Sequence, residues 1–503
     1  MTLHGTTQRS SPGIPPLTRR QVLKGSLAVS GGTVASALLA ACGGDKKATR
    51  VPDAAAVSGG TAVPGSSGAT TGSGTATGGA AFTRQTSITE WGFGVEETNP
   101  LAFARVDAFK KAYPSIKLDI VPKVEDQKIL TGAASKQLPE LLWLDRTTLS
   151  SWAARGVLKP LDEYIQRDKF DMGRFYPSAT SEVKYGGKTY GIPQFMTVRP
   201  LYVNVDALKE IGVDAAQMDT ANWDALIDNG KRLTKRSGDR VDRWGFDPKT
   251  YTKDGAGFLY LWGLGNGGTF LSGDGKKASF NDPKIVEALD WGNRAYQDQG
   301  GFKSYQAVAS AWQNDEQFAR GQVAMTLYEN WMLGIIARVA PDLNFTVVPV
   351  KKRGGSDPIS FTTGSAWAIT ASAKDADAAW EFVKFMNDPN TWMIGASATK
   401  DNQKKNNKPY IPALTGDKAV DQMQIEKLYE PIAPKFDSAV KLFPQLLDKS
   451  LQSPISSSPV SKQLDDDLGN EGVKPTLSGE RSAKDALDRA NEKAQRDIDS
   501  FKA

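Results

Sequence analysis

The chain has 503 residues, of which 40% are hydrophobic and 24% charged, and 62 Lys and Arg stand against 57 Asp and Glu. This length predicts two or three globular domains, and because four of the basic residues and no acid precede residue 43, the remainder is nearly neutral and offers no basic surface for nucleic acid. The single His (His4) and the single Cys (Cys42) both come early, so the part after residue 82 excludes Ser-His-Asp triads, Cys nucleophiles, disulfides and zinc sites built on His or Cys.

The first 42 residues have the layout of a signal peptide for export. Thr18 to Lys24, which contains paired arginines, precedes an apolar run from Gly25 to Ala41 that is too short and too rich in glycine for a membrane span. The paired arginines resemble the twin-arginine export motif, although general-secretion signals contain such pairs too, and the Leu-Ala-Ala-Cys sequence at 39–42 resembles a bacterial lipobox. The resemblance implies cleavage before Cys42 and lipid modification of its sulfur, so we expect an extracytoplasmic protein anchored to the cell membrane.

Residues 43–82 are predicted to form a disordered tether. From Ser58 to Ala81 the chain uses only Gly, Ser, Thr, Ala, Val and Pro, without a charged or aromatic residue, so this segment cannot bury enough apolar surface to order itself. A flexible coil of this length reaches roughly 35 Å, from about 5–6 Å multiplied by the square root of the residue number. The folded body is therefore expected to begin near Phe82.

The folded body begins with predicted strands that alternate with helices. Strand-like patterns at 87–91 and 116–121 flank a helical pattern at 100–113. A continuous apolar run at 141–144 is typical of a buried parallel strand. Strands spaced by helices indicate βαβ units, so the predicted fold class is α/β with mainly parallel sheets. Further strands are predicted at 201–203, 345–350 and 366–369, and further helices at 222–234, 281–296, 375–386 and 482–501.

An ordered set of sequence blocks in the body carries a family resemblance. The most recognisable is Gly-Lys-Thr-Tyr-Gly-Ile-Pro at 187–193, followed by Leu-Tyr-Val-Asn-Val-Asp at 201–206. The other blocks lie at 88–94, 109–121, 138–145, 156–164, 222–223, 318–325 with Trp331, and 378–385. In order and spacing, these blocks resemble the extracellular solute-binding proteins of ABC importers, specifically the carbohydrate-type family 1. The resemblance covers roughly residues 85–395.

The resemblance implies a periplasmic-binding-protein-like fold, in which two α/β lobes are joined by crossing segments and enclose a ligand cleft. It places lobe 1 at residues 83–195 plus about 355–418, and lobe 2 at 196–354 plus about 419–503. It also implies that the protein is a monomer that delivers a small carbohydrate to ABC permease subunits, that it is not an enzyme, and that it uses no cofactor or metal. The stiff Gly191-Ile192-Pro193 sequence between two series of strands and helices fits a crossing segment.

Candidate ligand-binding residues follow from the chemistry of sugars. A sugar presents apolar C–H faces ringed by hydroxyl groups, so its site needs aromatic side chains together with amide, carboxylate and Arg partners. In α/β sheets such sites lie beyond the carboxyl ends of strands. Asp145, which follows a buried strand, is equally suited to cap a helix. The candidates are Trp91, Gly92, Asp145, Arg146, Gln194, Phe195, Met196, Arg199, Trp262, Asn266, Trp312, Glu329, Asn330, Trp331, Gly364, Ser365 and Trp367.

Three other functions stay open at this point. The same fold also serves polyamines or other polar solutes, whose binding clefts likewise combine acids with aromatic residues. The protein would then differ from a sugar carrier in its ligand alone, whereas a surface sensor would differ in presenting its ligand to a signalling receptor. A tethered glycosidase would need two carboxylates about 5–10 Å apart, and acids such as Glu96, Glu97 and Asp145 are present without a motif that fixes their separation.

Overall fold

The computed structural model describes residues 82–96, 98–250, 256–310 and 315–502. The predicted signal segment, Cys42 and the predicted tether up to residue 81 lie outside the described residues, and so does the candidate residue Trp312. Among the helices of the described ranges, none is both long enough and apolar enough to cross a membrane.

Strands and helices alternate through most of the described chain. The strands are β1 (Thr86–Gly92), β2 (Ile116–Pro122), β3 (Leu141–Asp145), β4 (Lys184–Tyr185), β5 (Lys188–Thr189), β6 (Ile192–Pro193), β7 (Leu201–Asn204), β8 (Lys235–Ser237), β9 (Arg240–Asp247), β10 (Val323–Leu327), β11 (Phe345–Val348), β12 (Val350–Lys351), β13 (Pro358–Phe361), β14 (Ser365–Ile369) and β15 (Ser450–Leu451). The helices are α1 (Pro100–Ala112), α2 (Asp126–Ser135), α3 (Leu149–Ala154), α4 (Asp162–Arg167), α5 (Pro177–Glu182), α6 (Val205–Glu210), α7 (Trp223–Leu233), α8 (Leu259–Gly265), α9 (Pro283–Gln297), α10 (Phe302–Ala309), α11 (Met332–Val339), α12 (Ala376–Met386), α13 (Pro389–Lys405), α14 (Lys418–Lys427), α15 (Pro434–Asp448), α16 (Ser461–Asp467), α17 (Lys474–Leu477) and α18 (Ala483–Ser500).

The first sheet has the strand order β2-β1-β3-β14-β6, with β1 parallel to both β2 and β3. Side chains alternate along β2, where Ile116 and Leu118 are buried and Lys117 and Asp119 point outward. Strand β3 is buried almost throughout, as predicted for a central parallel strand. Helices α1 and α12 cover one face with buried aromatic and aliphatic side chains. This sheet with the helices packed on it is called lobe 1 below.

The second sheet has the strand order β11-β7-β10-β9-β8. Three buried indoles, Trp223 of α7, Trp262 of α8 and Trp291 of α9, form part of its core. The ring centroids of Trp223 and Trp262 lie 4.5 and 4.6 Å from that of Trp291. Large rings in mutual contact supply much of the apolar surface that this core removes from water. The second sheet with its helices is called lobe 2 below.

The prediction of mainly parallel sheets holds for β1, β2 and β3 but not for lobe 2. There β10 is parallel to β9, whereas β7 is antiparallel to β10 and to β11, and β8 is antiparallel to β9. In lobe 1, β14 is antiparallel to β3. Strands β7 and β14 are the first strands after the chain crosses from the other sheet. Each of these two strands begins beside the carboxyl end of its neighbour, β10 for β7 and β3 for β14, and therefore runs antiparallel to it.

The chain after residue 355 packs partly with lobe 2. Ile359 and Phe361 of β13 belong to the same core cluster as the second sheet, as do buried side chains of α16, α17 and α18. Ser482 accepts a hydrogen bond from the backbone N–H of Asp485 at 3.1 Å, which confirms the predicted start of the terminal helix. The lobe boundaries near residues 195, 355 and 418 stay a prediction.

Candidate ligand-binding cleft

A cavity of about 770 Å³ is lined by residues of both lobes. Lobe 1 contributes Asp145, the last residue of β3, together with Thr147. Lobe 2 contributes Glu329 and Trp331, which follow the carboxyl end of β10. Ligands of α/β proteins bind in this position beyond strand ends, and the volume lies within the range of ligand pockets, about 300–1,000 Å³. The cavity is therefore the candidate binding cleft.

The lobe 2 side of the cavity is an aromatic wall. Trp331 is 42% exposed, and its ring meets that of Tyr328 edge-to-face with the centroids 4.8 Å apart. An exposed indole held by a second ring is suited to stack on the apolar face of a sugar. The other aromatic residues that line the cavity are Phe258, Tyr260, Phe302, Tyr305 and Phe361.

Arg199 holds a carboxylate in place at the cavity. One of its Nη2 hydrogen bonds is donated to Glu329 Oε1 at 3.1 Å and another to Thr363 Oγ1 at 2.9 Å, while Nη1 donates to the carbonyl oxygen of Phe361 at 2.7 Å. The guanidinium also lies over the ring of Phe258, 4.7 Å from its centroid. Burial lowers the pKa of Arg199, and the neighbouring Glu329 carboxylate opposes that shift. These contacts orient Glu329 beside the aromatic wall.

Three further carboxylates, Asp145, Asp315 and Asp465, face the cavity from other elements. Asp145 Oδ1 accepts hydrogen bonds from the backbone N–H and the hydroxyl of Thr147, both at 2.9 Å, so Asp145 caps a turn as well as lining the cavity. Asp465 of α16 accepts a hydrogen bond from the Tyr260 hydroxyl at 2.8 Å. Burial raises the pKa of Asp465 to about 6. A desolvated carboxylate of this kind is stabilised by a ligand that donates hydrogen bonds or carries positive charge.

A smaller cavity of about 290 Å³ adjoins the first and shares Asp145, Thr147 and Asp465 with it. Its wall includes Trp91 at the end of β1 and the neighbouring Gly92. Gly92 has a φ of +113°, and a Cβ there would lie 2.7 Å from the carbonyl oxygen of Trp143, so this close approach requires glycine. Trp143, Asp126 and Lys462 also line this cavity.

The sequence-predicted candidates among the described residues fall into four groups. Four of the described candidates, Asp145, Arg199, Glu329 and Trp331, line the larger cavity. Trp91 and Gly92 line the smaller one. A third group lies behind the cavity, where the chain crosses between the sheets; its members are Arg146, Gln194, Phe195, Gly364 and Ser365.

The residues behind the cavity form hydrogen bonds within the protein. The side-chain oxygen of Gln194 accepts a hydrogen bond from Trp143 Nε1 at 2.9 Å. The carbonyl oxygen of Ser365 accepts the backbone N–H of Gln194 at 2.9 Å, and that of Gly364 accepts the backbone N–H of Arg146, also at 2.9 Å. Gln194 and Phe195 are predicted to touch ligand because they follow a crossing, Arg146 because it follows a buried strand, and Gly364 and Ser365 because of their loop-like surroundings. In the structure, the polar groups of these residues bond to one another and to Trp143.

Five other candidates lie away from both cavities. Trp367 and Trp262 are fully buried in the cores of lobe 1 and lobe 2, where Trp262 Nε1 donates to the carbonyl oxygen of Pro248 at 2.8 Å. Met196 is buried in a third cluster. Burial of these three large side chains in hydrophobic cores removes their apolar surface from water and stabilises the fold.

The last two of these candidates are polar. Asn330 is buried, and its side-chain oxygen accepts the backbone N–H of Val198 at 3.1 Å. Asn266 donates to the carbonyl oxygen of Lys284 and to Glu287, at 2.8 and 2.9 Å. Both amides are thus engaged by hydrogen bonds within the protein.

Several cavity residues have no distinguishing signal in the sequence. Phe302 and Tyr305 are three positions apart on α10, a spacing that equally suits a core-facing helix stripe. Asp465 belongs to a run of three aspartates that is typical of a solvated surface. Ser453 lies in a Ser- and Pro-rich stretch typical of a loop. Only the three-dimensional arrangement brings these residues to the cavity.

The family model for bacterial extracellular solute-binding proteins matches residues 97–391. The chain belongs to this family. Membership confirms the resemblance found in the sequence blocks, and the family consists of binding proteins. The match ends before α14, so Ser453 and Asp465 reach the cavity from a region beyond it.

Relatives and solved structures of the same kind are similar to most of the described chain. A binding protein of Brucella abortus is 26% identical over 286 residues, which cover 56% of this chain and 66% of that protein, slightly under two thirds of its length. The arabinooligosaccharide-binding protein of Bacillus subtilis is 24% identical over 315 residues, or 60% of this chain and 69% of that protein. An ABC substrate-binding protein of Listeria monocytogenes, solved with cycloalternan, has a TM-score of 0.65 and 21% identity, covering 83% of this chain and all of that one. The last likeness confirms the two-lobed fold.

Proposed function

We propose that the protein is the membrane-anchored, extracytoplasmic substrate-binding component of an ABC importer, and that it captures a sugar or oligosaccharide in the cleft. The observation that carries the proposal is the exposed Trp331 on an aromatic wall, beside Glu329 and across the cavity from Asp145. This pairing of an apolar surface with carboxylate acceptors matches the C–H faces and hydroxyl groups of a sugar. The saccharide ligands in the names of the Bacillus and Listeria proteins support it.

The position of the cleft between the lobes explains how ligand binding would bring the two lobes together. A ligand that stacks on Trp331 while donating hydroxyl hydrogen bonds to Asp145 contacts both lobes at once. Such a ligand binds more tightly to the conformation in which both sets of contacts form, and it shifts the open–closed equilibrium toward that conformation. The permease would then recognise the ligand-loaded form, and no covalent bond is broken.

One observation favours a second ligand class, a polyamine or another cationic solute. The smaller cavity is lined by Asp126, Asp145 and Asp465 together with two indoles. Lys462, the cation on the same wall, donates to both carboxylate oxygens of Asp466 at 2.7 and 2.8 Å, so its charge is already paired. Carboxylates and indole faces together attract ammonium groups.

A thermal-unfolding panel tests the function and separates the two ligand classes. Neutral saccharides (lactose, mannotriose and maltotriose) and polyamines (putrescine and spermidine) are added to the protein at equal concentrations. A ligand present at 100 times its Kd adds about 2.7 kcal/mol to the free energy of unfolding. We expect at least one saccharide to raise Tm in the wild type but not in Trp331→Ala. A rise with polyamines alone would replace the sugar proposal with the cationic one.

Anchoring is tested separately at Cys42. In the native host, the wild type should remain with the membrane fraction and carry a mass increment from acyl chains. Cys42→Ser should move to the soluble extracytoplasmic fraction with its sugar affinity unchanged. A wild-type chain found soluble and without a lipid would contradict the anchor while leaving the binding function intact.

A further inference from the structure

A buried ion pair lies where the two lobes are joined. Arg146 comes directly after Asp145 of the cleft, and Glu182 is the last residue of α5. Arg146 Nε donates to Glu182 Oε2 at 2.9 Å, and both side chains have no exposed surface. Neither residue lines the cavity. The pair therefore stands behind the binding site rather than in it.

Arg146 binds both crossing segments. Its Nη1 donates to the carbonyl oxygen of Phe195, on the segment from β6 to β7, and to that of Ser365, the first residue of β14, at 3.4 Å. Its backbone N–H donates to the carbonyl oxygen of Gly364 at 2.9 Å. Arg146 thus contacts the outgoing crossing through its side chain at Phe195, and the end of the returning crossing through its backbone at Gly364.

Glu182 binds a third segment. Its Oε1 accepts the backbone N–H of Ser453 at 2.7 Å, while Oε2 accepts from Arg146. Ser453 follows β15, which pairs with β13 at the start of the returning crossing, and Ser453 itself lines the cavity. The two side chains together therefore hold the outgoing crossing at Phe195, the start of β14 at Ser365 and the segment after β15 at Ser453.

Gly364 shows how closely these segments approach. Its φ is +148°, and a Cβ there would lie 1.9 Å from the carbonyl oxygen of Phe195 and 2.6 Å from Arg146 Nη1. Any larger residue would force the two crossings and the guanidinium apart. The contact thus depends on a glycine on one crossing and an arginine from lobe 1.

A buried ion pair is a weak source of stability, because the desolvation of both charges offsets their attraction. Its geometric effect is more definite, since a planar guanidinium fixes the directions of the groups that accept its hydrogen bonds. The Arg146–Glu182 pair directs its hydrogen bonds to backbone groups at Phe195, at Ser453 and at Ser365, where the returning crossing enters β14. Hinge motions are absorbed by loop and element-terminal residues of this kind, so these contacts lie where they can set the lobe orientation.

We propose that Arg146 and Glu182 are positioning residues that fix the crossing segments and thereby set the lobe orientation in which the cleft binds its ligand. The statement about ligand affinity rests on the proposed function, whereas the statement about lobe orientation does not. The pair acts through the segments that carry Phe195, Ser365 and Ser453, without touching the ligand.

The test measures the distance between the lobes directly. Spin labels are attached to Cys residues introduced at Lys110 of α1 and Lys303 of α10, two exposed positions on lobe 1 and lobe 2, in a Cys42→Ser chain. The variant Arg146→Met/Glu182→Gln removes both charges with little change in volume. We expect it to broaden or shift the distance distribution of the unliganded protein. A distribution identical to that of the labelled parent would overturn the proposal.

A matched control separates orientation from general stability. Arg243 and Glu210 form an ion pair at 3.0 and 2.7 Å that joins β9 to α6 within lobe 2. Arg243→Met/Glu210→Gln should leave the interlobe distribution and the ligand Kd unchanged. If the Arg146 and Glu182 double variant does not fold, Arg146→Lys serves in its place, because it keeps the positive charge but lacks the several N–H donors of the planar guanidinium. It should also broaden the distribution of interlobe distances. An unchanged distribution in a folded Arg146→Lys protein would also overturn the proposal.

The ligand arm uses the saccharide or polyamine with the largest Tm shift in the wild type. We expect its Kd to rise at least about tenfold in Arg146→Met/Glu182→Gln, because a smaller fraction of the protein has the competent orientation. An unchanged Kd together with a broadened distribution would overturn the coupling to binding. If no probe binds the wild type, the proposed function fails, and the unliganded distances still decide the role of the pair.

Discussion

The two walls of the cleft differ in chemistry. Lobe 2 supplies the rings of Trp331, Tyr328 and five further aromatic residues, whereas lobe 1 supplies Asp145 and Thr147 to the larger cavity. An aromatic wall buries ligand surface without needing a particular ligand rotation, while a carboxylate contributes only when a hydroxyl or ammonium group meets it in a defined direction. We therefore expect the lobe 2 rings to provide most of the binding energy of the proposed ligand, and Asp145 to provide the lobe 1 contact that favours closure. The carboxylates of both walls, Glu329 included, are expected to confer selectivity.

The largest expected effect is on the aromatic wall. Trp331→Ala should weaken binding of the stabilising sugar by about 3 kcal/mol, because an aromatic residue central to a binding surface is a common energetic hot spot. Its ring is 42% exposed, so the free energy of unfolding should change little. Isothermal titration calorimetry measures the first quantity and denaturant unfolding the second.

A buried tryptophan provides the matched control for this prediction. Trp367 has no exposed surface and lies in the lobe 1 core. Trp367→Phe should lower the free energy of unfolding while leaving the sugar Kd unchanged under conditions where the variant is folded. Equal losses of sugar affinity in Trp331→Ala and Trp367→Phe would contradict the different roles assigned to the cavity tryptophan and the core tryptophan.

The next effect concerns Asp465, which reaches the cavity from α16. Burial raises its pKa from 3.8 to about 6 in the folded protein. The folded state therefore binds a proton more tightly than the unfolded state, and the cost of ionising Asp465 is full above pH 6 and declines as the pH falls from about 6 to 3.8. Asp465→Asn should stabilise the protein by about 2 kcal/mol at pH 8, from about 1.4 kcal/mol per pKa unit discounted for partial exposure.

The stability and the ligand affinity of Asp465→Asn should respond in opposite directions. The gain in the free energy of unfolding should shrink as the pH is lowered from 8 to 4, and urea unfolding at the two pH values measures this change. The affinity for the ligand should fall, because a carboxylate that is costly in the empty cleft is stabilised by ligand donors. A pH-independent gain would show that ionisation of Asp465 is not what destabilises the fold.

The smallest effect is expected at Asp145. Asp145→Asn keeps the size and one acceptor oxygen, so the cap on Thr147 persists and the sugar affinity should fall by only about 1 kcal/mol, the scale of one hydrogen bond. The compaction on binding should be reduced more clearly than the affinity, because this contact belongs to lobe 1. A loss as large as that of Trp331→Ala would contradict the asymmetry between the walls.

The sequence predicts the fold better than it predicts the cleft, and the residues show why. Asp145 can be found because it follows a predicted strand, and strand ends meet at one edge of a sheet, whereas Trp331 is found through the family resemblance. Trp262 and Trp367 have the same side chain as Trp331 but lie in cores, and local pattern does not tell which side of an element faces a cleft.

The missed residues have a different cause. Asp465 depends on how α16 packs against Tyr260, a residue 205 positions away, and no local pattern reports such a contact. Arg146 and Gly364 are in the right place yet serve the crossings, because the sequence shows that two segments come together without showing which side chain lies between them. The single strand predicted at 345–350 divides at Pro349, whose backbone has no N–H to donate to a ladder.

Small-angle scattering with and without ligand tests the central claim most directly, namely that a sugar bound between the two walls brings the lobes together. With the saccharide that most raises Tm, the radius of gyration of the wild type should decrease on saturation, and that of Trp331→Ala should not change at the same ligand concentration. A wild type that binds the saccharide tightly with no change in its radius of gyration would contradict the account.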